Sequence, residues 1–246
     1  MRQMRVLALP DIHTPYNVDL TPIWKFSEDF KPDVIVLNGD VSEWEPASHW
    51  IANQSLRLEG RSILKCYSEI IKHVLDPIRE ISSKPKVIFM RGNHEEWLEL
   101  AIDLNRNGKG YWELESNLDK KKYRLEFVGL NVPYRPCGNL AYIHGVYTNE
   151  YHAKKTVQAY HTSVLYGHTH DYQVYIQVSP LDIGHFYKGA SMGCLCTLNP
   201  HFMKNKPNRW VNGFNFAYVG EDSGLFNDTQ VLIVKGGFWA LGRYYK

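Results

Sequence analysis

The segment Val34-Ile-Val-Leu-Asn-Gly-Asp40 sets the expected fold of this chain. Its four leading apolar residues are too few and too β-branched for a helix, so they predict a buried strand that ends at Asp40. Gly39 lets the chain turn there and lets another group approach the backbone closely. An Asp after a Gly is also common in ordinary turns, so this segment alone does not establish a functional site.

Four other short apolar runs lead into side chains that can bind a metal ion or transfer a proton. They are residues 6–9 before Asp11 and His13, 87–90 before Asn93 and His94, 140–143 before His144, and 164–166 before His168 and His170. In open α/β sheets ligands bind beyond the carboxyl ends of the strands, so we expect these ends to meet in one crevice. The carboxylates, imidazoles and amide there suit Mn, Fe, Zn or Ni better than a structural cysteine-bound zinc.

Taken in chain order, these motifs resemble a known family. Asp11-x-His13, Gly39-Asp40, Gly92-Asn93-His94-Glu95, His144 and Gly167-His168-x-His170 are similar to the full motif series of the calcineurin-like metallophosphoesterases. Any one motif would be unspecific, but their order and their positions after predicted strands make the resemblance specific. It implies an α/β fold, a four-layer α/β/β/α sandwich of two mixed sheets flanked by helices.

The resemblance also implies a site for two divalent metal ions. Asp11, His13, Asp40 and His170 would bind one ion, and Asp40, Asn93, His144 and His168 would bind the other. Asp40 would bridge the two ions, which lie about 3.5 to 4 Å apart in such sites and hold a bridging hydroxide that attacks phosphorus. Mn²⁺ is the expected ion, and Fe, Zn, Ni and Mg are the alternatives. The implied reaction is hydrolysis of a phosphoester.

His94 and Glu43 are the predicted catalytic residues. In the family, the histidine at the position of His94 is not a metal ligand and gives a proton to the leaving oxygen. Such a histidine needs an orienting partner. Relatives use an acidic residue three positions after the bridging aspartate, and Glu43 occupies that position here, where aspartate is commoner.

The class of phosphoester is less sharply indicated. The segment Phe89-Met-Arg-Gly-Asn-His-Glu95 resembles serine/threonine protein phosphatases and makes Arg91 a candidate substrate-binding residue. Those enzymes carry a phosphate-binding arginine after the bridging aspartate, whereas residues 41–45 here read Val-Ser-Glu-Trp-Glu. The second half of the chain looks more like small metallophosphoesterases of bacteria and phages. We therefore expect a phosphodiester substrate, with a protein phosphatase as an alternative.

A basic loop suggests nucleotides or DNA as a further alternative. Residues 201–210 combine Lys204, Lys206 and Arg209 with Phe202 and Trp210, a mixture that can bind a phosphate backbone and stack on bases. A solvated loop with its aromatic residues packed inward is an equally good interpretation. A non-catalytic metal-binding scaffold is the remaining alternative, and the presence of His94 argues against it.

Composition sets the remaining expectations. With 246 residues, 44% of them hydrophobic, the chain can bury one core, so we expect a single domain over 1–246 with a helical insertion around 42–83. Four cysteines without a Cys-x-x-Cys pair indicate reduced thiols, with Cys194 and Cys196 as strand residues. No signal peptide or membrane span is expected, so we expect a cytoplasmic protein without a membrane partner. A net charge of +2 does not by itself indicate nucleic acid, and the oligomeric state is not predicted.

Periodicity predicts the other elements. Helices are expected over residues 22–30, 61–81, 97–104 and 151–160, and a short helix near Trp50. From residue 172 onward the pattern changes to period two, over 173–178, 214–219 and 230–234. This half is expected to be a meander of strands that forms the second sheet.

Overall fold

The computed structural model describes residues 3–48, 58–181, 184–200 and 203–246. Within these ranges the strands are β1 Gln3–Leu9, β2 Val34–Asn38, β3 Lys86–Met90, β4 Leu125–Val128, β5 Tyr134–Cys137, β6 Leu140–Ile143, β7 Ser163–Tyr166, β8 Val174–Val178, β9 Phe186–Ser191, β10 Gly213–Gly220, β11 Phe226–Leu232, β12 Phe238–Ala240 and β13 Arg243–Tyr245. The helices are α1 Thr21–Phe30, α2 Ile63–Ile70, α3 Asp76–Glu80, α4 Asn93–Leu104, α5 Leu114–Asn117 and α6 His152–Tyr160. None of these helices is long and apolar enough to cross a membrane.

The strands form two large mixed sheets and a small hairpin. The first sheet has the order β11-β10-β1-β2-β3-β4, with parallel pairing from β1 to β4 and antiparallel pairing of β10 and β11. The second sheet has the order β5-β6-β7-β9-β8, with β6, β7 and β9 parallel and antiparallel strands at both edges. Strands β12 and β13 pair with each other.

Alternation of side chains along β1 shows the layers directly. Leu7 and Leu9 belong to a core shared with the helices, in which Phe26 of α1 is fully buried. Val6 and Ala8 point to the opposite face and share a second core with Tyr142 and other residues of the second sheet. A third, smaller core joins the far face of that sheet to α6. The order helix, sheet, sheet, helix confirms the expected four-layer sandwich.

The distribution of strands between the sheets differs from the expectation. The motif strands β1, β2 and β3 belong to the first sheet, whereas β6 and β7 belong to the second. The expected C-terminal meander is wrong, because β8 and β9 complete the second sheet while β10 and β11 pair beside β1 in the first. Each sheet therefore combines strands that precede residue 172 with strands that follow it.

The predicted helix over 61–81 is present but is not uniform. Helix α2 begins with Ser62 as its N-cap, whose hydroxyl accepts a hydrogen bond from the N–H of Lys65 at 3.1 Å. A π-helical turn, Ile71–Leu75, joins α2 to α3 just before Pro77, which has no N–H to donate. Within α2 the side chain of Leu64 is exposed, whereas that of Cys66 is buried. The short helix predicted near Trp50 lies outside the described residues.

Candidate metal centre

Strand ends from both sheets bring the motif side chains to one cavity of about 530 Å³. The motif residues that line it are His13, Asp40, Asn93, His94, His168 and His170. Asp11 and His144 lie behind this lining and are almost fully buried. Asn38, at the end of β2, links the two sheets here, because its side-chain amide donates to the carbonyl of Ile143 at the end of β6 at 2.7 Å.

The backbone at these strand ends is unusual. Asp11, His13, Asp40, His168 and His170 all have positive φ angles, between 47° and 67°. Residues other than glycine seldom adopt this left-handed conformation, and such residues cluster at functional sites where the surrounding structure holds them. The chain is therefore bent at these five candidate ligands so that their side chains turn into the cavity region.

Two glycines create the space in which the carboxylates lie. A Cβ atom at Gly167 would lie 2.1 Å from Oδ2 of Asp11, and a Cβ atom at Gly92 would lie 2.2 Å from Oδ1 of Asp40. Any other residue at either position would collide with a candidate ligand. The positions of the Asp11 and Asp40 carboxylates therefore require glycine in these two motifs.

The first candidate ligand group contains Asp11, His13, Asp40 and His170. Nε2 of His170 lies 3.2 Å from Oδ1 of Asp11 and 3.3 Å from Nε2 of His13. Nε2 of His13 is also 3.8 Å from Oδ2 of Asp40. Since Nδ1 of His13 bonds to Glu43, the lone pair of a neutral His13 is on Nε2 and faces these groups. Nitrogen and oxygen lone pairs therefore converge on one point.

The second candidate group contains Asp40, Asn93, His144 and His168. Nε2 of His144 lies 2.9 Å from Oδ1 of Asn93 and 3.3 Å from Oδ2 of Asp40. Nδ1 of His144 donates to the carbonyl of Asn38 at 3.0 Å, which places the lone pair of the neutral ring on Nε2. Ligand atoms of Asp40, His144 and His168 all lie within 4.8 Å of one another.

Electrostatics favour ionised carboxylates in both groups. Burial alone would raise the pKa of Asp40, but the adjacent imidazoles, His144 first, hold it well below its usual value. Burial likewise opposes a charged His144, yet the charge of Asp40 outweighs it and raises the pKa of His144 to about 10. His13 follows the same pattern, with its bond to Glu43 raising its pKa to about 9. A cation entering this site would displace protons from both rings.

The residues present fit divalent cations. Two sets of buried oxygen and nitrogen donors share Asp40, and the Asp11, His13, Asp40 set also has its ligand atoms within 4.8 Å of one another. Carboxylate, imidazole and amide groups are ligands for Mn, Fe, Zn and Ni, with carboxylate and amide oxygens also acceptable to Mg. The structure thus brings all seven residues predicted as ligands together.

The hydrogen-bond partner of His94 differs from the prediction, which was the carboxylate of Glu43. Nδ1 of His94 lies 3.0 Å from the main-chain carbonyl of Glu43, whereas the Glu43 carboxylate is 3.8 Å away. That carboxylate instead bonds Nδ1 of His13 at 2.8 Å. Its side chain thus orients a candidate metal ligand, and its main chain orients His94. Trp97 packs on the His94 ring, with 3.8 Å between ring centroids.

Glu95 was not among the predicted site residues, although it belongs to the Gly-Asn-His-Glu motif. Its carboxylate is fully buried and accepts four hydrogen bonds, from the N–H groups of Gly92, Asp40 and Val41 and from the indole of Trp44. Burial and the charge of Asp40 raise its pKa, and these donors oppose the shift. The available signal for this role was the position of Glu95 three residues after the helix N-cap Gly92, where an acidic side chain can accept from backbone N–H groups.

The predicted substrate-binding residues lie in different places. Arg91 forms ion pairs with Glu99 and Glu115 and does not line the cavity. Lys204 and Lys206 are exposed and also lie outside its lining. Trp210 does line it, with its ring centroid 4.3 Å from that of His170. Arg209 lines a neighbouring cavity, and Phe202 of the same loop lies outside the described residues.

Cys196 is a lining residue that the sequence interpretation missed. It is buried, and its sulfur lies 3.8 Å from Nδ1 of His170. Cys194 and Cys196 were expected in a strand, but each forms only an isolated bridge, with Asn212 and Asn17 respectively. The amide of Asn212 holds this segment by donating to the carbonyl groups of Cys194 and Cys196 at 3.2 and 2.7 Å.

Comparison with known proteins agrees with this geometry. Residues 4–172 match the model of the calcineurin-like phosphoesterase family, and the chain belongs to that family. The predicted resemblance is therefore confirmed. The family and the Asp–His groups support metal-dependent phosphoester chemistry in general.

Solved structures are similar at low identity. One is the crystal structure of Chaetomium thermophilum Vps29, with 12% identity, a TM-score of 0.45, and coverage of 94% of this chain and 92% of that chain. A second has 10% identity, a TM-score of 0.38, and coverage of 93% and 99%. No curated protein sequence matches the chain significantly.

Proposed function

We propose that this protein hydrolyses phosphodiesters with two divalent cations, and that His94 supplies the proton to the leaving group. The observation that carries this proposal is the position of Asp40. Its Oδ2 atom lies 3.8 Å from Nε2 of His13 and 3.3 Å from Nε2 of His144, so one carboxylate belongs to both candidate ligand groups. A shared anion is what two neighbouring cations need to offset their repulsion.

The ligands divide between the two cations as the two groups do. Asp11, His13 and His170 would hold one cation, and Asn93, His144 and His168 the other, with Asp40 common to both. Bound cations of this kind activate water and offset the negative charge that develops on phosphoryl oxygens. Mn²⁺ is the expected ion, and Fe, Zn, Ni and Mg remain the alternatives.

In this proposal His94 moves a proton and is not a cation ligand. When its ring is protonated, Nδ1 donates to the Glu43 carbonyl at 3.0 Å, and Nε2 carries the proton that a leaving alkoxide needs. Nε2 is 3.9 Å from Oδ2 of Asp40, so the proton lies beside the bridging position. The carbonyl and the Trp97 ring keep the imidazole in this orientation.

The protein side chains around the cations favour a diester over a monoester. Among the described residues that line the cavity there is no Lys or Arg, and Tyr16, Pro200 and Trp210 are part of its wall. A diester carries one negative charge at neutral pH, whereas a monoester carries nearly two and is usually held by arginine. The ion pairs of Arg91 with Glu99 and Glu115 remove it from that role, which weakens the protein-phosphatase alternative.

Hydrolysis of two small esters tests this proposal. Metal-depleted protein should be inactive, and Mn²⁺ should restore hydrolysis of bis-p-nitrophenyl phosphate with a higher kcat/KM than that of p-nitrophenyl phosphate. Ni²⁺ and Mg²⁺ in parallel rank the metals. A preference for the monoester would overturn the diester assignment. Two bound ions without hydrolysis of either ester would support the metal-binding scaffold instead.

A further inference from the structure

A second cavity lies directly beside the metal centre. Its volume is about 470 Å³, and His168 and Trp210 line both cavities. A group attached to phosphorus at the metal centre can therefore extend past Trp210 into this second space. The volume is within the range of cavities that hold small ligands, which is about 300 to 1,000 Å³.

The floor of the second cavity is a buried polar network. The ring of His152 bonds Oη of Tyr166 at 2.7 Å and Oδ2 of Asp171 at 3.0 Å. The hydroxyl groups of Thr169 and Ser191 both donate to Oδ1 of Asp171 at 2.8 Å. Because these groups satisfy one another, the floor is fixed before any ligand arrives.

The rim offers both donors and acceptors. Asn149, Glu150, Arg209 and Trp210 all belong to its lining. The lining contains one guanidinium, that of Arg209, and two carboxylates, those of Glu150 and Asp171. It therefore does not carry the excess positive charge that a second phosphate group requires. A neutral group with several hydroxyl or amide functions and a flat face suits this lining better.

We infer that the second cavity binds the nucleoside of a nucleotide-containing phosphodiester. The nucleoside lies against the indole of Trp210, and Arg209 hydrogen bonds to it from the rim. This inference rests on the proposed diester hydrolysis at the metal centre and adds to it the class of substrate. It also separates Arg209 from Lys204 and Lys206, which line neither cavity.

Two single substitutions in the same loop test the inference. Arg209→Ala and Lys206→Ala each remove one positive charge from an exposed side chain, but only Arg209 lines the cavity. For each variant, KM is measured for thymidine 5′-(4-nitrophenyl phosphate) and for bis-p-nitrophenyl phosphate. We expect KM for the thymidine ester divided by KM for bis-p-nitrophenyl phosphate to rise about tenfold in Arg209→Ala and to stay constant in Lys206→Ala. A tenfold change corresponds to the loss of about one charge-assisted hydrogen bond.

Direct binding of thymidine separates this inference from the proposed function. Calorimetry should detect thymidine binding to wild-type protein and to Lys206→Ala, and weaker binding to Arg209→Ala. Absence of thymidine binding would overturn the nucleoside site even if both diesters are hydrolysed. Equal changes of this ratio in both variants would also overturn it. They would indicate a general attraction between the positive charges of the loop and phosphate groups. If neither diester is hydrolysed but thymidine binds, the proposed function fails and the nucleoside site stands.

Discussion

The two walls of the cavity are held in different ways. The motif wall, formed by the strand-end residues 11–13, 38–43, 92–95, 144 and 167–170, is almost entirely buried and hydrogen bonded. The loop wall is the segment of residues 196–200 and 203–210, of which Cys196, Thr197, Asn199, Pro200 and Trp210 line the cavity. Beyond Cys196 this segment is mostly exposed. The proposed chemistry lies on the first wall, and the residues that would choose a substrate lie largely on the second.

This difference has a physical basis. On the motif wall Glu95 alone accepts four hydrogen bonds, three of them from backbone N–H groups around the Asp40 turn and the start of α4. On the loop wall the side chain of Asn208 bonds the carbonyl of Leu198 at 2.9 Å, and Asn199 bonds Asn205 at 2.6 Å, within the loop itself. Ligand geometry needs the rigid support, whereas a loop of this kind tolerates changes that alter specificity.

The largest expected effect comes from Asp40→Asn on the motif wall. An amide removes the anion that belongs to both ligand groups, so we expect one metal ion to be lost and turnover to fall below detection. Inductively coupled plasma mass spectrometry on purified protein measures the occupancy. Asp228→Asn is a suitable control, because the side chain of Asp228 is only 6% exposed but pairs with Lys188 between the sheets. Two ions bound to Asp40→Asn at wild-type affinity would refute the bridging role.

Substitution of His94 tests the motif wall without removing a ligand. His94→Ala should keep both metal ions and lose about 10² to 10⁴ in kcat, the usual contribution of a general acid. The loss should shrink for diesters with a good leaving group, because such groups depart without a proton. Phenyl and 4-nitrophenyl esters provide that comparison. An equal loss for both esters, or loss of metal, would show that His94 does not act as the acid.

Glu95→Gln tests the support of the motif wall rather than its chemistry. Oε2 of Glu95 accepts from Asp40 and Gly92, and Oε1 accepts from Val41 and Trp44. In glutamine an NH₂ group replaces one of these two oxygens. In either orientation of the amide two buried donors lose their acceptor, at a cost of about 1 to 3 kcal/mol each. Urea unfolding should show this loss, and turnover should fall less than in His94→Ala.

Glu96→Gln provides the matched control for that substitution. Glu96 is the next residue in the same turn of α4 and is exposed, so its free energy of unfolding should change by less than about 0.5 kcal/mol. Similar urea midpoints for Glu95→Gln and Glu96→Gln would mean that the buried carboxylate does not support the Asp40 turn.

The difference between the walls also explains what could be predicted from sequence. Short apolar runs followed by Asp, His or Asn predicted the candidate ligands, because a strand end places its next residues at the sheet edge. The same runs do not encode which strands pair, so the division of β1–β3 and β6–β7 between two sheets was missed. The position of Glu43 was predicted, but spacing cannot distinguish a contact by its carboxylate from one by its carbonyl.

The loop wall was harder to predict for a related reason. Residues 196–210 have neither helical nor period-two spacing, so their composition was the main guide. Composition grouped Lys204, Lys206 and Arg209 together, yet only Arg209 lines a cavity. Cys196 and Glu95 were missed as well, because burial of a thiol or a carboxylate beside the site depends on contacts distant in sequence.

The smallest expected effect is on the loop wall, from Trp210→Ala. Trp210 separates the two cavities and contacts the His170 ring, with 4.3 Å between centroids, but it offers no ligand to a cation. Loss of its aromatic contact should raise KM for diesters about twofold to tenfold, matching ~0.5 to 1.5 kcal/mol, while kcat and metal content stay close to wild type. Trp239→Ala is the control, since Trp239 is 72% exposed on the C-terminal hairpin and packs against Tyr244. A fall in kcat comparable to that of His94→Ala, or loss of a metal ion, would show that Trp210 positions His170. In that case the loop wall would contribute to catalysis as well as to substrate selectivity.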